Sequence, residues 1–138
     1  MSFERLETMR SKLHLQIFLL LLAFSAPVLA ASPQDLLAAY IAQAGQPVQA
    51  ARGELFFNAQ HGQEWRCVSC HGALPMAGGR HASTDKSIEP LAPAANPKRF
   101  TDSAKVEKWF RRNCKDVLAR ECSALEKADV LAWLLTVR

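Results

Sequence analysis

Apolar residues recur at helical spacing in four segments of the chain. Leu36, Leu37, Tyr40, Ile41 and Ala44 form the first stripe. Ser32 stands ahead of it as an N-cap, Pro33 takes the first helical position, Asp35 completes a capping box and Gly45 closes the segment, so a helix is predicted between them. A second helix is predicted over about Val48 to Asn58, with Gly53 and Phe57 inside it. Glycine in a helix costs about 1 kcal/mol against alanine, which implies that another backbone packs closely at Gly53. A third helix is expected from Thr101 or Asp102 to about Asn113. On it Val106, Trp109, Phe110 and Asn113 stand at i, i+3, i+4 and i+7, while Lys105, Lys108, Arg111, Arg112 and Lys115 fall on the other side. The fourth helix opens at Ser123 with Glu126 three residues on, and Leu125, Ala128, Leu131, Ala132, Leu134 and Leu135 make its buried face. No internal repeat and no strand-like alternation is visible. The pattern predicts an all-α fold of four or five helices in which the N-terminal and C-terminal helices cross.

Two stretches lie outside this periodicity. Ile17 to Ala26 is an almost unbroken apolar run, preceded by Arg10, Lys12 and His14 and followed by Pro27-Val28-Leu29-Ala30. It is shorter than the roughly 20 residues that cross a bilayer and too uniformly apolar for one face of a soluble helix. A basic start, a short apolar stretch and small residues at the cut read as a signal peptide, residues 1–30, cleaved after Ala30. Met9 offers a more ordinary start to such a leader than Met1. The remainder, residues 31–138, is expected to be one domain. The second stretch, Gly72 to Thr101, holds four of the seven prolines and three of the six glycines. An irregular segment of that length within a compact domain needs a functional reason.

Cysteine supplies the reason. All four cysteines, Cys67, Cys70, Cys114 and Cys122, lie beyond the leader, and in an oxidising compartment four cysteines can simply be two disulfides. Cys67-Val68-Ser69-Cys70-His71, however, has the spacing of covalent haem attachment. Two intervening residues let both thiols reach the vinyl-derived carbons on one porphyrin edge, and the next residue is a histidine held under the iron by the same turn. A thioredoxin-like redox pair would open a helix within a βαβ pattern, and a zinc site would need a second closely spaced ligand pair. Neither context is present. One haem c is therefore expected, with Cys67 and Cys70 as thioether donors and His71 as the proximal iron ligand. The carbonyl of Pro75 or Pro90 is a candidate to orient the His71 ring. The long proline-rich stretch becomes a loop wrapped around the cofactor, which supplies apolar core that so short a domain lacks.

The sixth iron position is harder to read. Met76 is the one methionine beyond the leader, but it lies five residues after His71, too close to pass around the haem edge, and is read as a packing residue. His61 and His81 read as surface histidines, with His81 the alternative candidate to approach the iron. Asn113 places an amide where the third helix asks for a core residue, beside the candidate pocket residues Trp109 and Phe110. An asparagine ending a helix by capping its own backbone explains the same residue equally well. With Cys67 and Cys70 committed to haem, Cys114 and Cys122 are most simply a disulfide closing a small loop beside Asn113, stabilising by about 2.5 kcal/mol in the chain-entropy picture.

Three segments carry a family resemblance: Ile88-Glu89-Pro90-Leu91-Ala92-Pro93, Arg99-Phe100-Thr101-Asp102, and Lys105 through Cys114. Together they resemble the SHP family, class I cytochromes c named after the sphaeroides haem protein. The resemblance runs from Ser32 to Leu135 and is most specific at Asn113-Cys114. It implies that Asn113 is the distal iron ligand of the oxidised state, followed by a disulfide cysteine. In the related cytochrome c double-prime that position is a histidine. It also implies a haem that binds O2, NO or CO when reduction releases the amide, with a dihaem cytochrome c and a membrane cytochrome b as electron donors in the periplasm.

Charge alters this picture little. Beyond the leader 14 Lys and Arg face 11 Asp and Glu, a balance that two haem propionates nearly cancel, which does not suggest nucleic-acid binding. Lys105, Lys108, Arg112 and Lys115 form a basic arc that reads either as a solvated helix face or as steering for an acidic redox partner. Two further classes stay open. One is a haem enzyme, an oxidase or a reductase of NO or peroxide, although the sequence supplies no distal acid and base pair. The other is a plain electron carrier with a permanent strong sixth ligand.

Overall fold

A computed structural model describes residues 32–138; the expected leader lies outside the described residues. In chain order the described residues form α1 (Pro33–Ala44), α2 (Ala50–Asn58), α3 (Cys67–His71), β1 (Gly79–Arg80), β2 (Ser87–Ile88), α4 (Ser103–Leu118) and α5 (Ala124–Thr136). The described residues are thus mainly helical, the all-α architecture that the sequence pattern predicts and that the resemblance implies is a class I cytochrome c fold.

The outer helices begin and end where their caps dictate. Ser32 Oγ accepts from the Asp35 backbone N–H at 3.1 Å, Pro33 fills the first turn, and Gly45 at φ +60° closes α1 with its N–H on the Ile41 carbonyl. The same box opens α5: the Glu126 N–H donates to Ser123 Oγ, and the Ser123 N–H donates back to Glu126 Oε2 at 2.7 Å. Asp102 caps α4 by accepting from the Lys105 N–H at 2.9 Å.

Both α1 and α2 pack against α5, and that crossing is the core. Leu36, Tyr40, Phe57, Ala128, Val130, Leu131, Trp133 and Leu134 are buried within it. The expected face of α5 omitted Asp129, Val130 and Trp133, which are also buried. A helix with two partners must bury more than one stripe. Gly53 makes the crossing tight, because a methyl group there would overlap the Asp129 carbonyl. The close backbone approach expected at this glycine is therefore its contact with α5. Asp129, 2% exposed, is the matching polar element. It accepts from the Gln49 backbone N–H at 2.7 Å and forms a bidentate pair with Arg52.

Three boundaries differ from the sequence reading. Helix α2 starts at Ala50 rather than Val48, because Gln49 is extended and its N–H is taken by Asp129. Helix α4 continues five residues past Asn113, because Cys114 and Val117 are buried and carry the apolar face onward from Phe110. The segment after the haem motif is loop, as expected, except for the short antiparallel pairing of Gly79 with Ile88 and Arg80 with Ser87. Strands of two residues are too short to show alternation. Met76, read as a packing residue, stands at the surface at 36% exposure, in the turn closed by the Ala77 N–H on the Leu74 carbonyl.

Replacing Gly53 by alanine should destabilise the holoprotein. Alanine gains about 1 kcal/mol in helix propensity, but forcing a methyl into a packed crossing costs about 1–3 kcal/mol or more, and here it meets backbone that cannot rotate away. Chemical denaturation followed by haem absorbance should show a lower midpoint. An unchanged or higher midpoint would mean that α2 and α5 can separate freely.

Candidate haem site

The Cys67–His71 segment is itself one helical turn. The Arg66 backbone N–H donates to Ser69 Oγ at 3.0 Å at its start, and Gly72, at φ +74°, ends it with its N–H on the Val68 carbonyl at 2.9 Å. Cys67 and Cys70 are free thiols on this turn and half-buried. Burial pushes the Cys67 thiol up to about 11. A reactive redox pair needs the opposite shift, so the thioredoxin-like alternative finds no support here. Among the described residues no group of three His, Cys, Asp or Glu side chains gathers to hold a metal ion.

His71 sits against the crossing, its ring centroid 6.1 Å from that of Phe57, which lies 5.0 Å from Trp133. Burial, and then the nearby Arg99 charge, lowers its pKa to about 4, so the imidazole is neutral at pH 7. Its Nδ1 is buried without a hydrogen-bond partner. Neither proline carbonyl considered from the sequence is bonded to it: the Pro75 oxygen accepts from the Leu91 and Ala92 N–H groups, and the Pro90 oxygen accepts from Arg99 Nε at 2.9 Å. A neutral buried imidazole with an unpaired ring nitrogen, next to two free thiols on one turn, is a donor set that fits haem c.

The rest of the turn's surroundings was not legible in the sequence. Gly79 lies so close to the Cys70 carbonyl that a side chain there would clash, and the Ala82 N–H donates to Cys70 Sγ at 3.3 Å. The β1–β2 hairpin thus backs the second cysteine. Arg99 donates to the carbonyls of Pro90 and Glu89 and fixes the loop before α4. Phe100 follows, buried and at φ +61°, where the chain turns into the α4 cap. The pair Arg99-Phe100 is a visible signal, but its meaning depends on the loop it closes.

Asn113 lies inside α4, not at its end. The C-cap is Ala119, at φ +56°, with its N–H on the Lys115 carbonyl. The capping explanation of this asparagine is therefore excluded. Asn58 shows what an asparagine bonded to its own helix looks like, donating to the Glu54 carbonyl at 2.9 Å, and among the described residues Asn113 makes no such bond. Asn113 is half-buried and continues the line of Val106 and Phe110, both packed against the core. Trp109, grouped with them by spacing, is 45% exposed with the Arg112 guanidinium 5.9 Å from its ring centroid. Beside Asn113 the buried Cys114 is joined to Cys122, with Cα atoms 5.6 Å apart. The His61 ring lies tilted against Phe56, centroids 4.4 Å apart, and His81 Nδ1 lies 3.2 Å from Ser83 Oγ. Both histidines are half-buried and occupied locally.

Crossed terminal helices, a Cys-x-x-Cys-His turn against their crossing and a long loop closing onto a further helix define a c-type cytochrome. The family described as Domain of unknown function (DUF1924) matches residues 43–134. The cytochrome c-type protein SHP of Cereibacter sphaeroides is 51% identical over 124 residues, which is 85% of this chain and 95% of that protein. Cytochrome c'' of Methylophilus methylotrophus is 47% identical over 88 residues, 61% of each chain. The solved structure of oxidised SHP, described as an oxygen-binding cytochrome c, superposes with a TM-score of 0.71 at 49% identity, covering 75% of this chain and 96% of that one. Oxidised cytochrome c'' from Methylophilus methylotrophus gives 0.66 at 40% identity, over 77% and 94%. The chain belongs to this family of cytochromes, that of SHP and cytochrome c''.

The purified protein, denatured without reductant, should yield no thiol from Cys114 or Cys122 on alkylation and peptide mapping. Two labelled cysteines at those positions would leave α4 without its covalent tie.

Proposed function

We propose that this chain is a periplasmic monohaem cytochrome that accepts electrons and binds a diatomic gas, O2, NO or CO, when an asparagine leaves the reduced iron. In this reading Cys67 and Cys70 form the two thioethers, His71 is the proximal ligand and Asn113 the distal ligand of the oxidised state. Bound haem supplies a one-electron centre with two axial positions. The neutral, buried His71 ring has its lone pair free for one of them at neutral pH. Asn113 offers an amide oxygen, a hard and weak donor that an oxidised, positively charged centre tolerates and a reduced one holds poorly.

The observation that carries the reading is the place of Asn113. It is mid-helix, its side chain bonds to no backbone among the described residues, it is aligned with Val106 and Phe110, and it is one residue from a cysteine tied to Cys122, just ahead of α5. The relatives support it: SHP is described as oxygen-binding, and a solution structure of cytochrome c'' addresses haem-ligand detachment. The expected leader supports export. The partners proposed for this chain are a dihaem cytochrome c and a membrane cytochrome b, acting as donors. Lys105, Lys108, Arg112 and Lys115 are all exposed, whereas Arg111 faces Glu121 at 3.6 Å, so the four offer a positive face to an acidic donor.

Intact mass of the purified holoprotein should exceed that of its chain by one haem that acid-acetone does not extract; extractable haem would remove the thioethers. Asn113→Ala should change the ferric absorption spectrum and admit water or azide. Asn113→His should move the ferric iron towards low spin, because imidazole is the stronger-field donor. A ferric spectrum unchanged in Asn113→Ala would assign the distal position to another residue, with His81 next in line.

A further inference from the structure

Glu107 stands where α1, α4 and α5 meet. Its Oε1 accepts from the Tyr40 hydroxyl on α1 at 2.6 Å, and its Oε2 accepts from Lys127 Nζ on α5 at 2.7 Å. Tyr40 is 4% exposed, and the Lys127 and Glu107 side chains are 13% and 37% exposed. This is not the open surface pair that solvent reduces to almost nothing. The ammonium also lies 5.6 Å from the Tyr40 ring centroid and 6.0 Å from that of Phe110, and these two rings meet edge to face at 6.1 Å. Burial alone would raise the Glu107 carboxyl, but bonds from Lys127 and Tyr40 and the charges of Lys127 and Arg111 outweigh it and hold it low. Burial and then the bond to Glu107 push the Tyr40 phenol up. At neutral pH the junction is a carboxylate between an ammonium and a neutral phenol.

Nothing in core packing requires a carboxylate here. Val106 and Phe110 already attach α4 to the apolar core, and the helix is capped independently at Asp102. What Glu107 adds is direction: two donors from two different helices fix its two oxygens, and so fix the height and rotation of α4. Phe110 is three residues further on and Asn113 three beyond that, about 9 Å along a rigid helix. A displacement at Glu107 is therefore carried along the helix towards the Asn113 amide, while the disulfide at Cys114, on the same helix face as Glu107, holds the other end of this segment.

We propose that Glu107, held by Tyr40 and Lys127, is a positioning residue for Asn113, setting how firmly the amide holds the oxidised iron against exogenous anions. The inference rests on Asn113 being the distal ligand, and its test separates the two. Azide association with the ferric holoprotein would be measured by stopped flow, with carbon monoxide association to the ferrous form as control, in Glu107→Gln, Tyr40→Phe, Asn113→Ala and the Glu107→Gln/Asn113→Ala double variant. Glu107→Gln should accelerate azide binding about tenfold, the scale of one charge-assisted hydrogen bond, and Tyr40→Phe, the milder change and the fallback should Glu107→Gln not fold, by less. The ferrous rate should stay unchanged, and amide exchange in residues 107–113 should quicken relative to α1 and α5. In the Asn113→Ala background the Glu107 change should add nothing. If Asn113→Ala opens the ferric site while Glu107→Gln and Tyr40→Phe leave azide binding as it was, or if Glu107→Gln acts equally without Asn113, positioning is overturned and the ligand stands. If Asn113→Ala changes nothing, the ligand assignment fails and the positioning proposal with it.

Discussion

The contact of Gly53 with the Asp129 backbone is the constraint on which the rest of the structure depends. Only a residue without a side chain lets α2 and α5 approach this closely, and the approach buries the Asp129 carboxylate, which Arg52 and the Gln49 N–H must then satisfy. A buried carboxylate that loses a partner costs far more than a surface charge. The crossing is therefore specified twice, by shape and by charge. It sets Phe57 against Trp133, and Phe57 in turn supports His71. The haem-binding turn follows α2 closely in sequence and inherits its position from that crossing.

The two sides of the proposed iron site are held by different physics. On the His71 side the chain is packed: Gly79 touches the Cys70 carbonyl, and the Ala82 N–H reaches Cys70 Sγ. On the Asn113 side α4 is tied at discrete points, through Glu107, through Cys114 and by the seating of Val106 and Phe110. Packed elements resist displacement in every direction. A tethered helix keeps its location while a single side chain on it changes rotamer. That division suits a site with one permanent ligand and one that exchanges.

Much of this was legible in the sequence. Ser32-Pro33 with Asp35, and Ser123 with Glu126, located both terminal helices because capping is local chemistry. Gly53 announced a close approach without naming its partner. The Cys67 to His71 spacing was enough to expect both thiols and the imidazole together, and they do share one turn. Asn113 was ambiguous because its meaning depended on where α4 ends, and that end is decided by burial of Cys114 and Val117 against distant segments. Asp129 as a structural hub, Arg99 beside His71 and the Tyr40, Glu107 and Lys127 junction were invisible. Each joins residues far apart in sequence, and an isolated charge on a helix looks the same whether it faces water or a partner.

The central claim is that the distal side chain is a weak ligand that reduction releases. Carbon monoxide association with the ferrous protein tests it most directly, followed by stopped flow over a wide range of gas concentration. A ligand already gone predicts a high-spin ferrous spectrum and a rate that rises linearly with carbon monoxide throughout. A low-spin ferrous spectrum, with a rate that levels off at the dissociation step of a bound side chain, would contradict the account.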